Sequence, residues 1–331
     1  LAFGWWLSRG ARLPGPEQIP SGGIVFQAFG GDVHAVALAN ATRDRTRSNR
    51  IHPSFSLLGH SFVTALRSPE SLAPGLEQLQ ADQLRFDGDG LVAHVFGFLG
   101  TDGRLVRLDP CGRAVSTRAI GEATFEFDPL PGSGGTVLLL RPVPETEGGG
   151  DSTLSEVVAL HPWEDVAISL GLPPVDARAG LAASPDGRSI VVGAPGGILR
   201  VVSLVGETPI EIGPGVQGAW APDGGRVAYM HDQDLWIFDL ASGERRLLHH
   251  IDPGIEWGVV HERLWWSPDG RFLAYNLDGS GLGDSCRLLE LSTERMFYFT
   301  GRTGSCGPFL TEEWLARRED RCELARSEDV L

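Results

Sequence analysis

The sequence contains no lysine, and its few cysteines are widely spaced. All 28 basic residues are arginines, and 43 acidic residues give a net charge of -15. This balance argues against a general nucleic-acid binder, because neutralising phosphates requires clustered cations. The four cysteines (Cys111, Cys286, Cys306 and Cys322) form no C-x-x-C pair. A zinc knuckle and a thioredoxin-type redox motif are therefore excluded.

The catalytic signatures of common hydrolases are also missing. No H-E-x-x-H motif occurs, and the two serine-centred candidates fail as nucleophile elbows. The segment around Ser61 lacks its second glycine, and the segment around Ser280 has the wrong register. The nine histidines are scattered and are interpreted as structural or solvent-facing. The sequence thus predicts a protein that is not an enzyme and has no catalytic residues.

No hydrophobic run reaches the roughly 20 residues that a membrane-spanning helix needs. The opening segment is nevertheless apolar, with Trp5 and Trp6 followed by Arg9 and Arg12, as at the exit of a membrane helix. Residues 1–20 are therefore interpreted as the end of a membrane anchor plus a linker. The alternative is a strand or tail that packs on the domain. Residues 21–325 are expected to form the folded domain, and 326–331 a tail.

Turn-forming residues, in contrast, are abundant. The chain of 331 residues has 44 glycines and 22 prolines with no triplet period, and 42% of its residues are hydrophobic. This composition supports a folded core and favours many short strands over long helices.

A strand, a Pro-Asp-Gly turn and a second strand recur three times. The turns are centred on Asp186, Asp223 and Asp269, which are 37 and 46 residues apart. That spacing is the length of one four-stranded propeller blade. The clearest copy predicts strands at residues 216–221, 226–230, 234–240 and 245–249.

These segments resemble the WD-like repeats of TolB-type β-propellers, which read Trp-Ser-Pro-Asp-Gly-Arg followed by a short apolar strand. Residues 180–300 carry the resemblance strongly. Weaker copies have turns near residues 22, 58, 89 and 130. The resemblance implies an all-β propeller of four-stranded blades, with seven blades favoured and six possible if the second and third copies merge.

The first repeat lacks its innermost strand. Segments Ile24 to Phe29 and Asp32 to Leu38 are predicted as its second and third strands. Since a circular array must hide its first and last edges, pairing of N- and C-terminal strands is expected. The missing strand is predicted within residues 307–325, for example Pro308 to Arg317.

The cysteines indicate an oxidising compartment. Cys286 and Cys306 flank two strands predicted to be adjacent, so a disulfide between them is expected. A bond between Cys111 and Cys322 is possible, but sequence alone leaves it open. Disulfides persist outside the cytoplasm, which predicts a periplasmic or extracellular location with possible anchoring at the N-terminus.

No cofactor is expected from the sequence. Calcium is the one ion that Asp-rich turns could bind, with weak candidates at Asp278, Asp284, Asp232 and Asp234. Ordinary hairpin chemistry explains these Asp-Gly segments better. The aspartates of the Pro-Asp-Gly turns are likewise interpreted as structural.

The predicted function is a non-enzymatic protein-binding scaffold. It would be an accessory subunit docking on a membrane-associated complex outside the cytoplasm, with other proteins rather than nucleic acid as partners. TolB-like propellers commonly mediate protein contacts, so this role is what the resemblance implies. Tryptophans outside the clear repeat strands or near the terminus would anchor such an interface if exposed: Trp5, Trp6, Trp163, Trp257 and Trp314.

The alternative function is a small-ligand-binding, hydrolytic or lyase propeller that uses its central channel. That alternative requires inward-facing His, Asp and Glu side chains from the first strands of several blades. The residues just before the turns are instead apolar: Ala182, Ala219, Leu264 and Trp265.

Overall fold

The structure is a computed structural model, and its strands form a series of short antiparallel sheets. The described residues are 23–28, 33–37, 42–43, 83–87, 90–95, 103–111, 113–121, 126–143, 154–161, 167–232, 234–251, 263–277, 285–298 and 304–317.

Five consecutive four-stranded units follow one another along the chain. Unit 1 contains β4 (Gln83–Asp87), β5 (Gly90–Val95), β6 (Gly103–Leu108) and β7 (Ala114–Gly121). Unit 2 contains β8 (Phe127–Pro129), β9 (Val137–Pro142), β10 (Leu154–Leu160) and β11 (Ile168–Ser169). In each unit every strand pairs antiparallel with the next one in sequence.

The three strong repeats form units 3, 4 and 5. Unit 3 contains β12 (Val175–Ala183), β13 (Ser189–Ala194), β14 (Ile198–Ser203) and β15 (Ile210–Pro214). Unit 4 contains β16 (Val216–Trp220), β17 (Arg226–His231), β18 (Asp234–Asp239) and β19 (Arg245–His250). Unit 5 contains β20 (Trp265–Trp266), β21 (Phe272–Leu277), β22 (Ser285–Glu290) and β23 (Arg295–Tyr298). The bounds of unit 4 match the predicted strands to within one residue.

The earliest and the latest described strands of the chain pair in a further unit, called here the terminal unit. It contains β24 (Gly304–Leu310), β1 (Gly23–Ala28) and β2 (Val33–Ala37), paired antiparallel in that order. The predicted extent of the C-terminal strand is wrong: it ends at Leu310, and residues 312–317 form a short helix. The helix begins there because the Thr311 hydroxyl accepts a hydrogen bond from the Trp314 amide at 3.0 Å, which is N-capping.

The Pro-Asp-Gly turns are held by their own side chains. In unit 3 the Asp186 carboxylate accepts hydrogen bonds from the Ser184 hydroxyl at 2.6 Å and the Arg188 amide at 3.0 Å. Both bonds lower the pKa of Asp186, and the bond from the Ser184 hydroxyl has the larger effect. Gly187 has a φ of 67°, a left-handed conformation that glycine adopts without strain. The turn of unit 5 repeats this arrangement with Ser267 and Asp269. The structural interpretation of these aspartates therefore agrees with their geometry.

The hydrophobic core lies between units rather than inside any one of them. One buried cluster joins Val191 and Val201 of unit 3 to Val227 and Phe238 of unit 4. Five further clusters join the pairs of units 1 and 2, 2 and 3, 4 and 5, unit 5 and the terminal unit, and the terminal unit and unit 1. The central strands β9, β13 and β17 are buried on both faces because each sheet packs between two neighbours.

Indole rings connect the first strands of neighbouring units. Nε1 of Trp220 on β16 donates to the carbonyl of Ala182 on β12 at 3.1 Å. Nε1 of Trp266 donates to the Ala219 carbonyl, also at 3.1 Å, and that of Trp265 to the Cys306 carbonyl on β24. The tryptophan before the turns of units 4 and 5 thus links the first strand of each to that of the preceding unit.

We expect Trp220→Phe to destabilise the protein by about 1 kcal/mol beyond its change in volume, because the Ala182 carbonyl loses its donor. Trp236→Phe is the matched control, since the buried Nε1 of Trp236 makes no hydrogen bond within the described part of the chain. Guanidinium unfolding of both variants measures the difference. Equal free energies of unfolding would contradict the linking role of the Trp220 indole.

Some predictions from the sequence concern residues outside the described ranges. The segment interpreted as an anchor or packed tail, residues 1–20, and the weak repeat near residue 58 both lie outside the described residues. Among the residues that the structure describes, no helix is long and apolar enough to cross a membrane.

Candidate functional site

Four charged side chains converge where the first strands approach one another. We call Arg85, Glu126, Asp128 and Arg263 the axial cluster. Arg263, two residues before β20, donates from Nε and Nη2 to Glu126 Oε2 at 3.1 and 2.8 Å. Its Nη1 donates to Asp128 Oδ1 at 3.0 Å. Its Nη2 also donates to the Phe127 carbonyl at 2.8 Å, so the guanidinium is bonded on all three nitrogens.

Burial makes the pairing of Arg263 energetically important. Its side chain is 11% exposed, and those of its two carboxylate partners are 20% and 16% exposed. Burial alone would lower the pKa of Arg263, but the charges of Glu126 and then Asp128 outweigh this effect and raise the pKa. Arg263 is therefore a permanent cation held between two carboxylates.

Arg85 on β4 completes the axial cluster. Its Nε lies 3.6 Å from Asp128 Oδ1, and its Nη1 donates to the Leu84 carbonyl at 2.7 Å. The guanidinium carbon sits 4.6 Å from the ring centroid of Trp265 and 5.3 Å from that of Phe127. Arginine favours such stacking because its planar cation is attracted to the ring face.

The axial cluster connects four units, of which unit 5 is not a neighbour of the other three in the chain. Asp128 of unit 2 also accepts from the Ala183 amide of unit 3 at 2.7 Å, while Arg263 belongs to unit 5 and Arg85 to unit 1. Among the described residues, the cluster therefore brings together two cations and two anions. The hydrogen bonds and ion pairs of the axial cluster cross-link strands of different units.

Solved structures of other proteins have a similar fold. TolB from Acinetobacter baumannii aligns with a TM-score of 0.57 at 12% identity, covering 89% of this chain and 68% of that one. The chain has a TolB-like β-propeller fold. A putative TolB from Agrobacterium tumefaciens aligns with a TM-score of 0.50 at 14% identity, covering 68% of this chain and 82% of that one. These identities establish fold, not function.

One segment of the chain matches a known sequence family. Residues 207–280 match the family described as the dipeptidyl peptidase IV N-terminal region. This segment runs from the end of unit 3 to the middle of unit 5. Units 3, 4 and 5 are the ones formed by the strong repeats. No curated protein sequence matches the chain.

The weak calcium candidates do not assemble into a site in the described part of the propeller. Asp234 Oδ1 contacts His250 Nδ1 at 2.5 Å, and Asp232 Oδ2 lies 3.4 Å from His231 Nε2. Within the ranges that the structure describes, no three His, Cys, Asp or Glu residues are grouped to hold a metal ion. Asp278 and Asp284 lie outside the described residues.

Of the five candidate interface tryptophans, the structure describes Trp314 alone. Its side chain is 5% exposed and packs with Leu84, Leu310 and other core residues. The Phe86 ring meets it edge-on at 5.7 Å between centroids. Trp314 therefore anchors the C-terminal helix to unit 1 and offers no exposed face to a partner. Trp5, Trp6, Trp163 and Trp257 lie outside the described residues.

The disulfide between Cys286 and Cys306 is present, with Cα atoms 5.1 Å apart. It joins β22 of unit 5 to β24 of the terminal unit, which also share a parallel pairing at Ser285 and Gly304. Cys111 is disulfide-bonded as well. Cys322 lies outside the described residues.

Sequence reasoning missed the axial cluster. It examined Leu264 and Trp265 but not the adjacent Arg263, and it noted the aromatic and proline of Phe127-Asp128-Pro129 but not the aspartate between them. The available signal was a charged residue beside the first strand in several repeats.

Proposed function

We propose that this chain is a non-enzymatic, protein-binding propeller that serves as an accessory subunit of a membrane-associated complex outside the cytoplasm. The observation that carries this proposal is the contrast between the axis and the periphery. The axial cluster occupies the region where the first strands meet with charges that neutralise one another. Apolar side chains are instead offered to solvent at the periphery.

Four of the six exposed large hydrophobic residues in the described part of the chain lie on outer strands. Val115 lies on β7, Ile168 on β11, Ile210 on β15 and Leu247 on β19, which are the last strands of four consecutive units. Contiguous exposed apolar patches mark surfaces that bind proteins, and we propose that these four side chains contribute to such a surface. The periphery is therefore the favoured docking surface, rather than the central channel that the alternative function would use.

We also propose that the propeller is a closed ring of six blades, not the seven that the sequence favoured. The first strands β24, β4, β8, β12, β16 and β20 each contact the next in this order, and β20 contacts β24. Six hydrophobic clusters separate the six units in the same cyclic order. A seventh blade would have to interrupt one of these packed interfaces.

The proposed location rests on cysteine chemistry. Cys111, Cys286 and Cys306 are all disulfide-bonded, which requires an oxidising compartment in most organisms. In this proposal the apolar residues before the propeller, including Trp5 and Trp6, hold it at the membrane surface.

The test is native fractionation of source membranes extracted with a mild detergent, with mass spectrometry of every protein that travels with the chain. We expect migration in an assembly several times larger than the 35.6 kDa of the chain. A parallel extraction from cells lacking the chain is the control, and the same partner proteins should then shift to smaller sizes. Migration of the chain alone at its own mass would overturn the proposal.

A further inference from the structure

The four cysteines of the chain leave one arrangement of disulfide bonds. Cys286 and Cys306 are bonded to each other. Cys111 is also disulfide-bonded, and the part of the chain that the structure describes has no free cysteine. The sequence contains one further cysteine, Cys322. Elimination therefore makes Cys322 the one candidate for the partner of Cys111.

The bond between Cys286 and Cys306 is buried. The two cysteines are 3% and 2% exposed, and they belong to the hydrophobic cluster between unit 5 and the terminal unit. Phe272, Leu288 and Phe297 pack in the same cluster. A thiolate must reach a disulfide sulfur directly in order to attack it. Reduction of this bond therefore requires the interface between the two units to open.

Cys111 lies in a different environment. It belongs to the turn between β6 and β7 of unit 1 and is partly exposed. None of the six hydrophobic clusters among the described residues includes it. A reductant in solution can thus approach this turn without the separation of two packed units.

The turn that carries Cys111 is held by its own hydrogen bonds. Asp109 Oδ1 accepts from the amides of Cys111 and Arg113 at 2.8 and 2.9 Å. The Asp109 amide donates to the Arg113 carbonyl at 2.9 Å. These bonds do not involve the cysteine sulfur, so we expect the β6–β7 hairpin to keep its conformation when the disulfide is reduced.

The C-terminal helix is the element that a second disulfide would hold. Residues 312–317 pack on unit 1 through Trp314, which is 5% exposed and lies in one cluster with Leu84. Cys322 is five residues beyond the end of this helix. A bond from Cys322 to Cys111 would link the C-terminal side of the helix to unit 1 covalently. The buried disulfide links β24, which precedes the helix, to unit 5.

We propose that Cys111 and Cys322 form a redox-sensitive disulfide, which a dithiol reduces while the buried disulfide stays intact. A thiolate of the dithiol attacks one sulfur of the bond, forms a mixed disulfide and releases the other cysteine as a thiolate. The second thiol of the reagent then attacks the mixed disulfide. The dithiol ends as a cyclic disulfide, and its two electrons and two protons leave both cysteines as thiols. Packing alone then holds the C-terminal helix on unit 1.

Peptide mapping of the intact, oxidised chain tests the pairing. Because the chain has no lysine, trypsin cleaves after arginine alone, and the peptides 108–113 and 322–326 each contain one cysteine. Free thiols are blocked before an unreduced digestion. We expect mass spectrometry to find these two peptides joined by a disulfide. Recovery of either peptide mainly in the blocked form, or joined to peptide 272–287, would overturn the pairing.

Reduction kinetics test the difference in access. The folded chain is incubated with dithiothreitol, samples are alkylated with iodoacetamide, and the alkylated fractions of Cys111 and Cys286 are followed over time. We expect Cys111 to be reduced at least about tenfold faster, because Cys286 is reached only through a packed interface. In guanidinium that unfolds the chain, the two rates should become similar. Equal rates in the folded chain, or a difference that survives unfolding, would overturn the proposal.

Two matched double variants separate the effects of the two bonds. Cys111→Ser with Cys322→Ser should raise the hydrogen-exchange rates of residues 312–317 severalfold relative to those of β18. The amides of β1 should change no more than those of β18, because β24 remains linked to unit 5. Cys286→Ser with Cys306→Ser should instead affect β1. Unchanged exchange in the helix of the first variant would overturn its link to unit 1.

The redox-sensitive disulfide does not depend on the proposed protein-binding function. All three measurements use the isolated chain, whereas native fractionation reports its partners. If the two disulfides are reduced at equal rates and the chain still migrates in a large assembly, the protein-binding function stands and the redox-sensitive disulfide is wrong.

Discussion

Arg263→Met is expected to destabilise the protein by about 3 to 5 kcal/mol, the usual cost of removing one partner from a buried ion pair. Glu126 and Asp128 would remain with their charges in a region where water solvates them poorly. The loss should exceed that of any exposed arginine because the penalty comes from uncompensated carboxylates rather than from the lost attraction.

The measurement is guanidinium unfolding at neutral pH, with Arg200→Met as the control. Arg200 is 44% exposed and pairs with the exposed Glu211 at 3.5 Å, so its removal should cost no more than about 1 kcal/mol. Adding Glu126→Gln to Arg263→Met should recover part of the loss, because the remaining carboxylate, Asp128, still has Arg85 beside it. Equal stabilities for Arg263→Met and Arg200→Met would contradict the role given to the axial cluster.

Removal of the disulfide by Cys286→Ser with Cys306→Ser should cost about 3 kcal/mol. The two cysteines are separated by 20 residues in sequence, and the bond restricts the unfolded chain over that loop. The bond also links β24 to unit 5, so its removal should weaken the pairing of β24 with β1.

Two measurements check this prediction. Guanidinium unfolding gives the global loss, and hydrogen exchange of residues 23–28 reports the β1 pairing locally. Amides of β18, in the centre of unit 4, serve as the internal control and should change only by the global amount. A double-serine variant as stable as the parent chain would show that the bond contributes nothing to the free energy of unfolding.

The repeats that could be predicted from the sequence are those whose determinants are local. In the turn at Asp223, the aspartate carboxylate accepts hydrogen bonds from the Gly225 amide at 2.9 Å and from Arg226 Nη2 at 2.7 Å. All of these residues lie within four positions of the sequence. Such patterns can be recognised in any single sequence. Units 1 and 2 lack the full motif, and the sequence could give only their approximate turns, near residues 89 and 130.

The axial cluster could not be predicted in the same way. Arg263 and Glu126 are 137 residues apart, and their meeting depends on where two first strands lie after the ring has assembled. The bounds of the C-terminal strand were predicted wrongly for a related reason. Gly304–Leu310 has no clear alternation of polar and apolar residues, and its pairing with β1 determines where the strand begins and ends. The N-cap at Thr311 was a local signal that would have placed the helix correctly.

The pairing of β1 with β24 also fixes an order of assembly during synthesis. Phe26 pairs with Cys306, so 280 residues separate the two partners. At about 5 to 20 residues per second, roughly 14 to 56 s pass between the synthesis of one partner and that of the other. Until then β1 has an open edge, and contacts this distant in sequence form slowly. β1 is therefore synthesised long before its partner β24, and a chain interrupted before residue 304 would expose the unpaired edge of β1.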